Sequence, residues 1–231
     1  MKRRKWMRAA LIAMSLAVTQ RAGAQWPAAM TPTEAAEVAQ GRVVVLQRDV
    51  EGAPWPRMRL FRSIDATPEQ SVAMLADYEH QRDYNVDLKE ARIARRLDAG
   101  RTEVFFKYAS NFPFISDVSY TVLEQVERGA DGSYRIGWSL LQGTKLKSIQ
   151  GSARFSPWTN PATGRSGTLL TYDSFVVPAF RFASLGAVRA KAVENMRAAV
   201  DAIAIEVERE RSRDHARLEG QVTALRAALA H

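Results

Sequence analysis

Aromatic side chains are the residues of this sequence whose type and spacing most suggest a chemical role. Alternation along an extended chain places Phe106 and Tyr108 on one face of a strand, and Tyr120 on one face of another. Any one such ring suits a packed core. The cluster as a whole favours an apolar cavity, because ligand pockets are mostly apolar with a few placed polar groups. The clustered rings are Phe105, Phe106, Tyr108, Tyr120, Tyr134, Trp138 and Tyr172.

Two charged residues are candidates for the polar part of such a site. Arg154 and Asp173 lie in neighbouring predicted strands and could form a pair across them. Facing inward, the pair would orient the polar head of a ligand. Facing outward, it would be a surface ion pair worth less than about 1 kcal/mol. The more apolar opposite face, with Ile149, Ala153 and Phe155, favours the outward orientation.

Catalytic and metal-binding patterns are largely missing from the sequence. There is no cysteine, and the three histidines are His80, His215 and His231. His80 has acidic neighbours, but their spacing specifies no metal site, and a solvated helix end is the favoured interpretation. No Gly-x-Ser-x-Gly elbow and no glycine-rich phosphate loop occurs. The sequence therefore predicts no metal, no cofactor and no catalytic residue.

The elements that must position these residues are a series of strands between helices. A helix is predicted over 31–40 and another from 65 to about 78, each opening on threonine and proline. Short turns join consecutive strands, which indicates an antiparallel meander. The predicted strands are 42–50, 57–64, 87–98, 101–110, 117–127, 132–141, 147–157 and 167–177.

The last third of the chain predicts one long amphipathic helix lying on the sheet. Its apolar stripe begins at Leu185 and Val188, which we include among the candidate ligand contacts, and continues to Val207. A charged tail, 209–231, then carries a second apolar stripe. That stripe is compatible with folding back, with homo-oligomerisation or with membrane contact. A solvated, partly frayed helix is an equally good interpretation.

Residues 1–24 have the order of a cleavable signal peptide: a basic start, a short apolar run and the small residues Ala22-Gly23-Ala24. They hold six of the 33 basic residues and no acid, so 27 bases and 25 acids remain, a net charge of +2 in place of +8. A nucleic-acid-binding domain would keep its basic charge, so no nucleic-acid partner is predicted. We expect export to the periplasm or the medium. An amphipathic N-terminal helix of a cytosolic protein is the weaker alternative.

Three passages resemble the START-like, or SRPBCC, helix-grip superfamily over about residues 57–208. Residues 63–78 are similar to the family's opening strand and helix, and residues 151–178 to its closing strands. Residues 112–117 resemble the Pro-x-Pro-x-Ser-Asp turn of bacterial START proteins, although Phe114 and Val118 depart from that pattern. An extra helix and strand, within 25–56, precede the core.

The resemblance implies an α+β fold in which a curved antiparallel sheet wraps around a long C-terminal helix. It also implies an apolar cavity for a lipid-like or other apolar small molecule. Phe112 and Phe114 would lie in a loop that serves as a cavity lid or as a tip for transient membrane contact. Some family members are cyclases or hydratases, for which Tyr108, Tyr120 and Arg154 would be the first candidates.

Three functional hypotheses follow. The first is binding and carriage of a hydrophobic molecule in the cell envelope. The second is a cyclase-like or isomerase-like enzyme acting on a hydrophobic substrate. The third is an envelope interaction module that uses the C-terminal tail.

The basic start of the chain generates a prediction about the export route. Arg3 and Arg4, followed by Trp6, Met7 and Arg8, resemble a twin-arginine signal. We expect replacement of Arg3 and Arg4 by lysine to abolish export, measured as the fraction of protein reaching the periplasm. Unchanged export would indicate the ordinary Sec route.

Overall fold

The computed structural model describes residues 30–98, 100–110, 116–180 and 184–230. The predicted signal peptide and both Phe112 and Phe114 lie outside these ranges. The elements in chain order are α1 (Pro32–Ala39), β1 (Val44–Arg48), β2 (Arg57–Ile64), α2 (Pro68–Leu75), a 3₁₀ helix (Tyr78–Asp83), β3 (Leu88–Asp98), β4 (Arg101–Tyr108), β5 (Val118–Arg128), β6 (Tyr134–Gly143), β7 (Leu146–Thr159), β8 (Ser166–Pro178), α3 (Gly186–Arg213) and α4 (His215–Ala230).

Local sequence sets the starts of the two short helices. Thr31 caps α1 by accepting a hydrogen bond from the backbone of Glu34, and the Glu34 side chain accepts one from the backbone of Thr31. Thr67 and Gln70 make the same reciprocal pair at α2. Each helix has a proline in its first turn, where the missing N–H costs nothing.

The eight strands form one antiparallel sheet in the order β1-β2-β8-β7-β6-β5-β4-β3. The meander from β3 to β8 and the predicted α+β helix-grip class are both confirmed. β8 lies between β7 and β2, so the last strand of the meander closes against the beginning of the domain. The predicted extra strand is β1, which extends this sheet at its edge.

Along each strand, successive side chains alternate between the covered face of the sheet and its outer face. On β7, Ile149, Ala153 and Phe155 are buried, and Ala153 and Phe155 are inaccessible to solvent. Ala153 and Phe155 pack in a core with Val200 and Ile203 of α3. The predicted apolar stripe of the long helix therefore covers the sheet, as its 3.6-residue periodicity requires.

The charged tail folds back onto the domain as α4, after a break at Asp214. Leu218, Val222 and Leu225 are buried in the same core as α2. The backbone N–H of Gly100 in the β3–β4 turn donates to the carbonyl of Ala228 at 3.1 Å. The apolar stripe of the tail is thus buried inside the domain, as the folding-back alternative has it, and it gives no support to homo-oligomerisation through the tail. Within the described ranges, no helix has the length and apolar character needed to cross a membrane.

The packing of α4 predicts that it contributes to the stability of the whole domain. Leu218 is fully buried, so Leu218→Ala should lower the free energy of unfolding by about 2–5 kcal/mol. The matched control is Leu141→Ala, because Leu141 is half exposed. We expect it to change the free energy of unfolding by about 0.5 kcal/mol or less. Urea denaturation measures both. Equal, small losses in the two variants would show that α4 is not part of the cooperative unit.

Candidate functional site

Five aromatic rings from four strands meet on the covered face of the sheet. Tyr108 of β4 stacks on Tyr120 of β5, with ring centroids 6.0 Å apart and planes 8° apart. Phe106 contacts both of these rings, at 6.4 and 5.5 Å. Trp138 of β6 and Tyr172 of β8 lie 5.0 Å apart. Five of the seven rings clustered from the sequence therefore share this face, and their role in binding stays a prediction.

A glycine on the neighbouring strand makes room for Trp138. Gly151 of β7 is paired with Trp138 in the sheet register. A Cβ atom at Gly151 would lie 2.5 Å from the Trp138 ring and 2.2 Å from the carbonyl oxygen of Asp173, so any side chain there would clash. The absence of a side chain lets the indole lie across β7 toward Tyr172.

The aromatic rings surround a cavity of about 110 Å³. Apolar side chains complete most of its wall, and Met196 is the lining residue from α3 among those described. The described lining is Leu75, Gln81, Phe106, Tyr108, Tyr120, Val122, Glu124, Ile136, Trp138, Ile149, Tyr172, Ser174, Val176 and Met196. A ligand pocket for a drug-sized molecule has about 300–1,000 Å³, so this cavity holds a small group and not a whole lipid.

Glu124 is a polar member of the lining that the sequence analysis missed. It is 7% exposed, and burial raises its pKa from the ordinary 4.5 to about 7, although a hydrogen bond with Tyr78 opposes the shift. The strand sequence did contain a signal. Alternation from Tyr120 and Val122 puts Glu124 on the covered face, where an acid among apolar residues is unusual.

The tyrosines around Glu124 keep their protons at neutral pH. Burial raises the pKa of Tyr108 to about 12 and holds that of Tyr120 well above its usual range. Burial likewise raises the pKa values of Tyr78 and Tyr172. The side-chain amide of Asn85 donates to the Tyr108 hydroxyl at 3.4 Å. The cavity therefore combines neutral hydroxyl groups with one titratable acid.

A larger groove lies beside this cavity, beneath α4. It has a volume of about 850 Å³ and is bounded by α4, the ends of β3, β4 and β5, and the 3₁₀ helix. Tyr78 lines the groove, and Glu124 lines the cavity. The two spaces are therefore lined by residues that interact, because Tyr78 influences the pKa of Glu124.

Comparison with known proteins gives a match in structure and not in sequence. No family model matches the chain, and no curated protein matches it. A fragment of a StAR-related lipid transfer protein from Xanthomonas axonopodis superposes with a TM-score of 0.61, covering 71% of this chain and 93% of that fragment at 18% identity. Human StAR-related lipid transfer protein 5 superposes with a TM-score of 0.59, over 73% and 83% of the two chains at 13% identity. A Thermus thermophilus protein gives a TM-score of 0.51, over 73% and 98% at 19% identity.

The chain has a START-like fold. At these identities the likeness establishes the fold alone, so each site residue has to be judged from its place in the structure.

Arg154 and Asp173 lie on the outer face of the START-like sheet, and the pair suggested by the sequence does not form. The register sets Arg154 opposite Thr171 and Asp173 opposite Ser152, two positions apart. Arg154 binds Asp131 at 2.9 Å in the β5–β6 turn. Asp173 instead accepts two hydrogen bonds from Arg59 of β2, at 2.8 and 2.9 Å. Strand order explains the correction, because a meander pattern predicts only the pairing of consecutive strands, and the pairing of β2 with β8 brings Arg59 beside Asp173.

The helix residues chosen from the sequence do not reach the cavity. Leu185 precedes α3 and is 54% exposed, and Val188 is buried away from the described lining. Two aromatic residues of the cluster also point elsewhere. Phe105 lies under the Arg92 guanidinium, 4.7 Å from its ring centroid, and the Tyr134 hydroxyl donates to Glu69 at 2.9 Å.

His80 contacts Asp77 at a helix end, as the sequence predicts. His80 Nδ1 lies 2.8 Å from the Asp77 carboxylate, in the 3₁₀ helix. In the part of the chain that the structure describes, no three metal-ligating side chains come together.

The buried acid generates a prediction about pH and stability. The unfolded chain releases the Glu124 proton near pH 4.5, whereas the folded protein holds it to about pH 7. The stabilisation from the neutral acid is therefore complete below about pH 4.5 and is lost as the pH rises to about 7. Glu124→Gln cannot titrate, so wild type should lose roughly 3 kcal/mol of unfolding free energy relative to this variant between about pH 4.5 and 8.

Urea denaturation across this pH range measures the difference. Glu127→Gln, at an exposed position of the same strand, is the matched control and should track wild type at each pH. If Glu124→Gln also tracks wild type, Glu124 does not retain its proton in the folded protein.

Proposed function

We propose that this protein binds a hydrophobic or amphipathic small molecule between its sheet and its C-terminal helices. The observation that carries the proposal is the convergence of five aromatic rings on a cavity that also holds neutral hydroxyls and one acid. Apolar walls with a few placed polar groups are what ligand sites require. Two solved structures with the same fold are StAR-related lipid transfer proteins, which supports a lipid-like ligand.

The volumes of the two spaces bear on how much of a ligand each could hold. The cavity of about 110 Å³ is comparable to the space of a small organic group, since an engineered apolar site of about 150 Å³ binds benzene. The groove of about 850 Å³ falls within the range for whole ligands. A lipid-sized molecule would accordingly need the groove, or an enlarged cavity.

The same proposal places the protein's action in the cell envelope. The signal-peptide pattern of residues 1–24 supports export, and a carrier in the cell envelope would move apolar molecules through an aqueous compartment. A shielded site between sheet and helices suits that task, because it removes the apolar surface of the cargo from water.

A second candidate function is catalysis on a hydrophobic substrate. The observation that favours it is Glu124, since a buried acid with a pKa of about 7 matches what a general acid or base needs at neutral pH. A cyclase-like enzyme needs a titratable side chain facing its cavity, and Glu124 is such a side chain.

The test is the identity of any molecule that copurifies with the protein. We expect native mass spectrometry and solvent extraction to find an apolar molecule bound to wild type. Val176→Phe, which projects into the cavity, should reduce the bound amount severalfold, whereas Val177→Phe on the opposite face of β8 should retain it. Circular dichroism checks folding, because overpacking costs about 1–3 kcal/mol.

The outcomes separate the two candidates. An empty wild-type protein that also binds no added apolar ligand would contradict the proposed function. Conversion of the extracted molecule by wild type, but not by Glu124→Gln, would favour catalysis over carriage.

A further inference from the structure

A separate pocket lies at the end of the sheet where β2 stops and β8 begins. It has a volume of about 340 Å³, within the range for small ligands. Its walls are the end of α1, the end of β2, the β7–β8 hairpin and one residue of α3. Its described lining shares no residue with the aromatic cavity or with the groove beneath α4, so it is a distinct space in the molecule.

The helix at the start of the domain, α1, supplies one wall of this pocket. Two side chains fasten the end of that helix to the sheet. Asn160 donates to the Ala39 carbonyl at 2.9 Å. Ser63 donates to the Val38 carbonyl at 2.6 Å. Because α1 precedes residues 57–208, the stretch that resembles the START-like superfamily, the pocket is built partly from a segment outside that resemblance.

A buried arginine lines this pocket. The Arg62 side chain is 8% exposed, and its Nε donates to Asp201 at 3.0 Å. Its Nη1 donates to the carbonyl of Ser63. Its Nη2 donates to no residue that the structure describes, and protein does not enclose it completely. The pocket thus presents a guanidinium nitrogen that needs an acceptor, because an unsatisfied polar group in a buried position costs free energy.

The charges in contact with the pocket wall balance, so they do not select a ligand by themselves. Asp65 accepts hydrogen bonds from Arg165 and Arg211, both at 2.7 Å. Glu208 accepts one from the backbone N–H of Asp65 and lies 3.9 Å from Arg62. Counting the carboxylate that the Arg62 Nε binds, three arginines face three carboxylates. Selection therefore depends on which hydrogen-bonding atoms of the wall are still unused.

The unused hydrogen-bonding atoms of the wall are mostly donors. Among the described residues, none accepts a hydrogen bond from the Trp158 indole N–H, the Gln40 amide or the Ser166 hydroxyl. Arg165 binds Asp65 through one nitrogen, and its side chain is 66% exposed, which leaves further N–H groups for a ligand. A wall rich in donors suits a group that only accepts, and an ionised carboxylate or phosphate is such a group.

We propose that this pocket binds a small organic anion, whose carboxylate or phosphate group accepts hydrogen bonds from Arg62 Nη2 and from Arg165. The organic part of the ligand lies against the Trp158 indole. Hydrogen bonds from a guanidinium to an oxyanion are charge-assisted and about twice as strong as neutral ones. This binding goes beyond the proposed function, which concerns the aromatic cavity, and neither depends on the other.

Three ligands with the same aromatic ring test the choice of polar group: phenyl phosphate, benzoate and benzyl alcohol. Isothermal titration calorimetry of the purified protein near neutral pH should give at least one anion an affinity about tenfold or more above that of the neutral alcohol. The tighter of the two anions tells phosphate from carboxylate as the preferred group. Equal affinity for all three ligands, or no binding of either anion, would overturn the proposal and leave the proposed function standing.

Nuclear magnetic resonance of the ¹⁵N-labelled protein tests the location. Trp158 lines this pocket and Trp138 lines the aromatic cavity, so their indole N–H signals report on the two spaces separately. We expect titration with the tighter anion to shift the Trp158 signal and to leave the Trp138 signal in place. Trp158→Phe and Trp138→Phe assign the two signals. A shift of the Trp138 signal alone would place the anion in the cavity and overturn the pocket as its site.

Two variants test the residues that hold the anion. Arg165→Gln removes an exposed guanidinium and should weaken binding of the tighter anion about fivefold or more. Arg135→Gln, an exposed arginine on the outer face of β6, is the matched control and should keep the wild-type affinity. Arg62→Lys keeps the buried charge but loses Nη2, so we expect a loss of about tenfold or more, with circular dichroism to check folding. Anion binding that Arg165→Gln leaves unchanged would overturn the proposal, whether or not Arg62→Lys folds.

Discussion

The pairing of β8 with β2 is the interaction on which the rest of the structure depends. It joins residues 57–64 to residues 166–178 and places the first third of the domain beside the end of the meander. Gly167 makes the close approach feasible, because a Cβ there would lie 2.6 Å from the Ile64 carbonyl oxygen. Thr168 then donates to the Ala66 carbonyl at 2.7 Å, which fixes the entry to α2. Without this closure α2 would have no sheet to cover, and α4 would have no α2 to pack against.

The candidate site lies where the helices leave part of the covered face of the sheet unfilled. α3 and α4 bury the side near β2 and α2, where the core is filled by residues such as Phe155 and Val200. Toward β4 and β5 the covering is thinner, and the cavity and the groove lie there. The buried acid Glu124 is costly at that position, since desolvation disfavours its charged form. A polar group kept at such a cost is most simply understood as part of a site.

Much of the fold and part of the site could be predicted from residue patterns. Alternation correctly grouped Phe106 with Tyr108, and the Thr-Pro starts located both short helices. Pairing between strands could not be predicted in the same way. The meander pattern predicts an ion pair between Arg154 and Asp173 because they lie in neighbouring strands. The partner of Asp173 is instead Arg59, more than a hundred residues earlier in the chain. A search of the sequence for clustered aromatic residues does not single out Glu124, because it is one acid at an inward-facing strand position.

The sequence by itself determined the local periodicities, the helix caps and the antiparallel order of neighbouring strands, because these depend on residues close together in the chain. Only the tertiary structure decided where the C-terminal stripe is buried, which space lies beneath α4, and which polar residue faces the cavity. Those features arise where segments far apart in sequence meet, as when Gly100 binds Ala228 or Tyr78 meets Glu124. Such meetings follow from the closure of the whole sheet, and no local pattern encodes them.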